Sequence, residues 1–197
     1  MANNNIKSGL TPLYRLDGLP ISNPIELYVL SSDTTPIGVG DPLVVTGTAN
    51  STIVQSRQIG AMPVVTRATA GSAAIVSYVC TGVVMQTEAS LTYRPGSTAA
   101  ILQAVPADGQ TVFGIQSNGT AAITSVGANA DFVFTTTPNV ITGQSGAELN
   151  EASVNTTATL QLKILNIAPF IDNAPGAAGK YEVLINTAGL VPNTAGV

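Results

Sequence analysis

Short apolar runs separated by turn residues make up most of this chain, and they restrict the folds that it can adopt. The runs are rich in β-branched residues, and glycine, proline, asparagine or aspartate stands between them. One segment, 160–164, also alternates apolar and polar residues, as a half-buried strand does. We therefore predict an all-β fold, either a β-barrel or a jelly-roll-like β-sandwich. The predicted strands are residues 26–30, 42–46, 63–67, 75–85, 99–105, 111–115, 131–135, 157–165 and 181–186.

The turn residues between these runs give more local predictions. The pairs Asp108-Gly109 and Asn118-Gly119 suit backbone positions with positive φ, which is the strongest short-range signal for a β-hairpin. Residues 120–126 could form one helical turn, which Gly127 would end. Gly179-Lys180 lacks the glycine spacing and the following Ser or Thr of a phosphate-binding loop, so we interpret it as a turn that enters the last strand.

Residues 1–24 differ from the rest of the chain because proline and glycine interrupt them without sustained periodicity. This pattern predicts an extended N-terminal arm followed by a single β-rich domain at 25–197. The arm is too apolar for a solvated tail, so we expect it to lie along its own domain or to reach a neighbouring subunit. Removal of residues 1–20 should then leave the core folded but weaken assembly. The candidate interface residues are Ile6, Leu10, Leu13, Tyr14, Leu16 and Leu19.

The chain carries few charges, and this bears on its partners. Only 9% of the 197 residues are charged, against about 25% in an average soluble domain. The formal net charge is −4 and the sequence has no basic cluster, so nucleic-acid binding is not expected. No apolar stretch approaches the ~20 residues that span a bilayer, and the N-terminus lacks the features of a signal peptide. We expect a protein folded in the cytoplasm whose weakly charged surface is covered by partners.

The residue types needed for most enzyme mechanisms are missing. The sequence has no histidine, which excludes Ser-His-Asp and Cys-His triads, and its single cysteine, Cys80, fits a buried, inert thiol. Glu148 and Glu151 could act as a glycosidase pair, but aromatic residues are scarce and a solvated loop is the simpler interpretation. For the loop at Asp172-Asn173 we expect hydrogen bonds to its own backbone rather than calcium binding. We predict a non-enzymatic protein without cofactor or metal.

The three arginines at 57, 67 and 94 flank turns. Salt bridges to another subunit and simple solvation are both ordinary roles for arginines in such places. We expect one or the other for each of them.

A set of segments, in order over residues 37–187, carries a family resemblance. They are GDPLVV (40–45), MPVVTRATAG (62–71), GVV (82–84), TYRPGST (92–98), VGANAD (126–131), GQSG (143–146), ATLQLKIL (158–165), DN (172–173), GK (179–180) and VLIN (183–186). With these segments the chain resembles the head decoration, or capsid-cement, proteins of tailed bacteriophages.

The resemblance implies a non-enzymatic virion protein on the capsid exterior, made in the host cytoplasm. Such a protein stabilises the icosahedral head by binding neighbouring subunits of the major capsid protein. Many copies on a symmetric shell favour a closed oligomer, and we expect a homotrimer before a homodimer. The alternative is a virion tail, fibre or surface module that binds host carbohydrate.

Overall fold

The computed structural model describes residues 3–21, 23–50, 61–71, 73–85 and 90–190. Across these ranges the regular structure is almost entirely β, which confirms the predicted fold class. Two 3₁₀ turns, Ile123–Ser125 and Glu151–Ser153, interrupt the strands. The strands are β1 Thr11–Arg15, β2 Ile25–Val29, β3 Pro42–Asn50, β4 Met62–Arg67, β5 Tyr78–Val83, β6 Ala100–Pro106, β7 Thr111–Gln116, β8 Thr120–Ala121, β9 Asn129–Ala130, β10 Phe132–Phe134, β11 Ala147–Leu149, β12 Leu162–Ile167, β13 Gly176–Ala177 and β14 Lys180–Ile185.

Five of these strands close into a barrel in the order β2-β4-β3-β5-β6. Neighbouring strands are antiparallel, except that β2 and β4 run parallel. Closure pairs each strand on both sides, so this part of the fold offers little open sheet edge. Aliphatic side chains fill the interior, among them Leu27, Val29, Leu43, Val65 and Leu102.

The second unit is an antiparallel five-stranded sheet in the order β1-β7-β14-β12-β9. Alternate residues of β14 point to the larger apolar core, where Tyr181, Val183 and Ile185 are buried. Glu182, between them, therefore lies on the opposite face of the sheet. Two small sheets, β10 with β11 and β8 with β13, complete the fold, and Phe132 of β10 joins the same core.

The hairpins predicted from Asp108-Gly109 and Asn118-Gly119 are wrong, although both pairs lie in turns. Gly109 has the expected positive φ of 71°, but β6 before it belongs to the barrel and β7 after it to the sheet. The positive φ expected at Asn118-Gly119 is absent, and beyond Gly119 β8 pairs with β13 instead of β7. An Asp-Gly or Asn-Gly pair is a signal for local backbone conformation alone. The pairing partners here are set by packing between strands that are far apart in sequence.

Two predictions concern the turns further along the chain. The helical turn expected at 120–126 is instead the short strand β8 followed by the single 3₁₀ turn Ile123–Ser125. The turn expected at Gly179-Lys180 is confirmed, because β14 begins at Lys180.

Arg94 is completely buried, and the expectation of a solvated or intersubunit arginine there is wrong. Its guanidinium donates hydrogen bonds to the carbonyl oxygens of Leu30 (2.8 Å), Asp33 (2.6 Å) and Thr35 (2.5 Å), and its Nε donates to the carbonyl oxygen of Thr98 (2.7 Å). Burial lowers the pKa of Arg94, and the Asp33 carboxylate, 3.8 Å away, counteracts this. One side chain thus ties together the loop after β2 and the loop before β6 at the same end of the barrel.

Replacing Arg94 with methionine should lower the free energy of unfolding by at least about 3 kcal/mol. The substitution leaves several buried carbonyl oxygens without a donor. Urea unfolding followed by circular dichroism measures this loss. Arg67→Met is the matched control, because the half-buried Arg67 donates one long hydrogen bond of 3.3 Å within the described part of the chain and stacks over Phe134. It should cost about 1 kcal/mol. Equal losses in the two variants would contradict the structural role of Arg94.

Candidate interaction surface

The segment before β1 is anchored to its own domain by side-chain hydrogen bonds. The Asn3 amide donates to the carbonyl oxygens of Ala174 (2.8 Å) and Ala177 (2.9 Å), and its Oδ1 accepts from the N–H of Ala174 (2.8 Å). Asn5 accepts a hydrogen bond from the Gln116 amide of β7 at 2.8 Å. These contacts hold residues 3–5 against the segment between β12 and β14 and against the end of β7. Both partners are more than 100 residues away in the sequence.

Lys7 continues this attachment through the buried carboxylate of Glu148. The Lys7 ammonium lies 3.1 Å from Glu148 Oε2 and donates to the Thr135 hydroxyl at 2.8 Å. Glu148 also accepts hydrogen bonds from the Thr135 hydroxyl and, at 2.8 Å, from the Gln116 amide. Only 3% of Glu148 is exposed, so the interpretation of this residue as part of a solvated loop is wrong.

Glu151 is equally engaged by its own chain. It accepts hydrogen bonds from the hydroxyls of Ser117 (2.7 Å), Ser125 (3.0 Å) and Tyr181 (3.2 Å). This carboxylate therefore holds the two 3₁₀ turns against the end of the sheet. The partners of Glu148 and Glu151 are different, and both sets of contacts explain the two residues as structural acceptors.

Two glycines allow the N-terminal segment to cross the loop before β3 at backbone contact distance. Gly9 has φ of +65°, and a Cβ on it would lie 2.6 Å from the Cβ of Ser145. Gly40 has φ of +93°, and its Cβ would lie 3.0 Å from the Cα of Gly9. The N–H of Leu10 donates to the carbonyl oxygen of Gly40 at 2.9 Å. Any larger residue at either glycine would force the two strands of backbone apart.

Asp41 is the buried carboxylate beneath this crossing. It accepts hydrogen bonds from the Ser145 hydroxyl and, at 2.8 Å, from the N–H of Gly38. Burial raises the pKa of Asp41, and these hydrogen bonds, together with the charge of Arg67, offset part of that increase.

The N-terminal arm is not confirmed as a free or reaching segment. Leu10 is 1% exposed and belongs to the core of the five-stranded sheet, and Thr11–Arg15 pairs with β7 as β1 of that sheet. Leu13 is half-buried, with its side chain packed over Gly114. Of the two places expected for the arm, residues 3–15 occupy the surface of their own domain. We therefore no longer expect residues 1–20 to be removable without damage to the core.

Four of the six candidate interface residues are nonetheless exposed: Ile6, Tyr14, Leu16 and Leu19. Tyr14 donates a hydrogen bond to Glu182 at 3.1 Å, and burial, followed by the charge of Glu182, raises the pKa of Tyr14. Ile6 precedes β1, Tyr14 lies in it, and Leu16 and Leu19 follow it. Sequence analysis missed other exposed apolar side chains, which include Ile123, Val140, Ile141, Phe170 and Ile171.

The remaining candidate groups are accounted for within the protein. Cys80 is buried, and burial, with a smaller effect of Asp41, raises its pKa to about 12. Asn173 hydrogen-bonds the backbone of Ala168 and Lys180, as expected for this loop. The described residues contain no cluster of three potential metal ligands. None of the helical segments among them has the length and apolar character needed to cross a membrane.

Comparison of the chain with protein-family models, with curated proteins and with solved structures found no match.

The contrast between Leu10 and Leu19 is open to direct measurement. Leu10→Ala should lower the free energy of unfolding by about 2–5 kcal/mol, because it opens a cavity in the core. Leu19, which is 62% exposed, is the matched control, and Leu19→Ala should change stability by less than about 0.5 kcal/mol. Thermal and urea unfolding of both variants test this. A Leu10→Ala protein as stable as the wild type would show that residues 3–15 do not pack on their own domain in solution.

The raised pKa of Asp41 gives a pH dependence with a defined sign. The folded state binds this proton more tightly than the unfolded state, so its contribution to stability is complete below the unfolded pKa of about 4. The contribution is lost as pH rises through the higher folded pKa. The stability of the wild type relative to Asp41→Asn should therefore fall as pH increases from about 3 towards neutrality. Urea unfolding of both proteins across this range measures it, and a relative stability that rises with pH contradicts the assignment.

Proposed function

We propose that this chain is a non-enzymatic bacteriophage virion protein that decorates the capsid and stabilises it by binding neighbouring subunits of the major capsid protein. The observation that carries the proposal is the number of exposed, large apolar side chains on a surface with very few charges. Leu16, Leu19, Val140, Ile141 and Ile171 are between 51% and 97% exposed. The ordered family resemblance over residues 37–187 supplies the kind of partner.

Such side chains favour association with another surface. Burial of an exposed leucine or isoleucine contributes about 1.5–3 kcal/mol. Few like charges oppose the approach of a second protein, since the chain has a net charge of only −4 over 197 residues. A protein that contacts two coat subunits at once also gains avidity, because the second contact is intramolecular once the first has formed.

The attached N-terminal segment changes how the proposed contact is made. A decoration protein of this kind presents Leu16 and Leu19 from a segment that follows a fixed strand, rather than from a flexible arm. Self-association into a homotrimer remains our first expectation and a homodimer the second, and contact with the coat protein is then made by several copies at a symmetry axis.

The proposal is tested by adding purified protein to undecorated phage heads and measuring its co-sedimentation. Wild-type protein should bind saturably, and the double variant Leu16→Ser/Leu19→Ser should bind at least about ten-fold more weakly, because two apolar contacts are lost. Light scattering of the free protein, measured separately, gives its oligomeric state.

The control is Ile123→Ser/Val126→Ser, which removes two exposed apolar side chains at a 3₁₀ turn. It should bind heads as the wild type does. Equal binding by all three proteins would remove Leu16 and Leu19 from the interface. A protein that is absent from purified particles, and that never binds heads, would overturn the proposed function.

A further inference from the structure

A polar cavity of about 410 Å³ lies between the N-terminal segment and the loop that joins β10 to β11. Its size falls within the range of small-molecule sites in proteins. Most of the described side chains that line it are uncharged amides and hydroxyls, and none of these is aromatic. The residues used below are Asn5, Ile6, Thr137, Asn139, Thr142 and Gln144.

The loop that forms one wall is held in shape by its own hydrogen bonds. Asn139 Oδ1 accepts from the N–H groups of Ile141 (2.9 Å) and Thr142 (3.1 Å). The N–H of Gly143 donates to the carbonyl oxygen of Asn139 at 2.8 Å. The N–H of Asn139 donates to the carbonyl oxygen of Gln144, also at 2.8 Å. A ligand that enters the cavity therefore meets a preformed wall and does not have to order it.

Several polar groups on this wall have no hydrogen-bond partner among the residues that the structure describes. Among the described residues, no acceptor receives a hydrogen bond from the side-chain amide of Gln144 or from Nδ2 of Asn139, and the Thr137 hydroxyl is likewise unpaired. On the opposite wall, Asn5 uses its Oδ1 to accept from Gln116 and leaves its Nδ2 available. The cavity thus offers hydrogen-bond donors from both walls, whereas the acceptors, Gln144 Oε1 and the Thr137 hydroxyl, lie on the loop wall.

The charge of the cavity is neutralised before any ligand binds. Among the described residues that line it, Lys7 is the one charged residue, and the Lys7 ammonium already lies 3.1 Å from the Glu148 carboxylate. A second anion near Lys7 would have to compete with that buried carboxylate, which also holds Gln116 and Thr135. An uncharged ligand is therefore favoured over a phosphate or a carboxylate.

We propose that this cavity binds a neutral saccharide of one or two rings. Sugar hydroxyls act as both donors and acceptors, which matches the Nδ2 donors of Asn5 and Asn139, the side-chain amide of Gln144 and the hydroxyl of Thr137. The exposed side chain of Ile6 supplies one apolar contact for the C–H face of a ring. Because none of the described lining residues is aromatic, recognition by them depends on hydrogen bonds, and weak, millimolar affinity is expected.

Saturation-transfer NMR on the full chain with glucose, galactose, mannose, N-acetylglucosamine and their neutral disaccharides, each at about 10 mM, tests the proposal. At least one sugar should receive saturation and compete with another. Gln144→Ala should weaken binding about ten-fold, because a polar contact is lost. Gln103→Ala is the matched control, since Gln103 is exposed on β6 of the barrel, outside the cavity, and it should leave binding unchanged.

Two further probes separate a saccharide site from other sites. Glucuronate should bind more weakly than glucose, and an uncharged, capped dipeptide should not bind. The proposal is overturned if no neutral sugar receives saturation, if the capped dipeptide binds instead, or if Gln144→Ala and Gln103→Ala behave alike. These variants leave Leu16 and Leu19 unchanged, so binding to phage heads, measured in parallel, reports separately on the proposed capsid function.

Discussion

The loop before β3 holds the barrel, the β10–β11 loop and the N-terminal segment together, and the rest of the structure depends on it. Gly40 donates its N–H to the carbonyl oxygen of Cys80 in the barrel at 2.7 Å, while its own carbonyl oxygen accepts from Leu10. One residue earlier, Val39 exchanges backbone hydrogen bonds with the β10–β11 loop at Gly143 and Ser145, both at 2.8 Å. The Ser145 hydroxyl also donates to the buried Asp41. The two glycines at the crossing, Gly9 and Gly40, make this close approach possible.

The fold also removes several acidic and basic side chains from the surface. The structure buries five of the acidic and basic side chains among the described residues: Asp41, Arg94, Asp131, Glu148 and Glu182. At least three of them accept or donate several hydrogen bonds to backbone or side chains, which offsets the cost of burial. A chain with 18 acidic and basic residues in all is left with an even less charged exterior. The low charge that favours association therefore results partly from the fold and not from composition alone.

The sequence predicted the strands well where a strand is itself an apolar run. β2, β4, β6, β7 and β14 lie within a residue or so of the predicted ranges, because burial on a sheet face requires that pattern. β1 was missed, since an edge strand with Pro12 and a bulge after it buries little of its length. Which strands pair was not predictable either, because the period of two carries no information about the partner.

The individual charged residues were harder still. Arg94 donates hydrogen bonds to carbonyl oxygens of a loop more than 50 residues earlier in the chain. Every residue has a backbone carbonyl oxygen, so the residue type does not show which of them accepts a hydrogen bond from an arginine. Glu148 looked like a loop carboxylate because its partners, Lys7 and Gln116, are distant in the chain. In both cases the signal lies in the three-dimensional neighbourhood, whereas the sequence shows only the residue type and its local turn.

An N-terminal segment attached to its own domain suits a binding protein better than a free arm does. Ordering a flexible segment costs about 1–2 kcal/mol per residue in backbone entropy, and a loose arm loses that amount when it binds. Here the segment is already ordered in the folded protein. The polar contacts of Asn3, Asn5 and Lys7 and the pairing of β1 with β7 hold it in place, and they offset this entropy cost before any partner binds. When side chains on such a segment are buried against a partner, little of the free energy gained is lost to ordering the backbone. The same attachment places Asn5, Ile6 and Lys7 in one wall of the polar cavity.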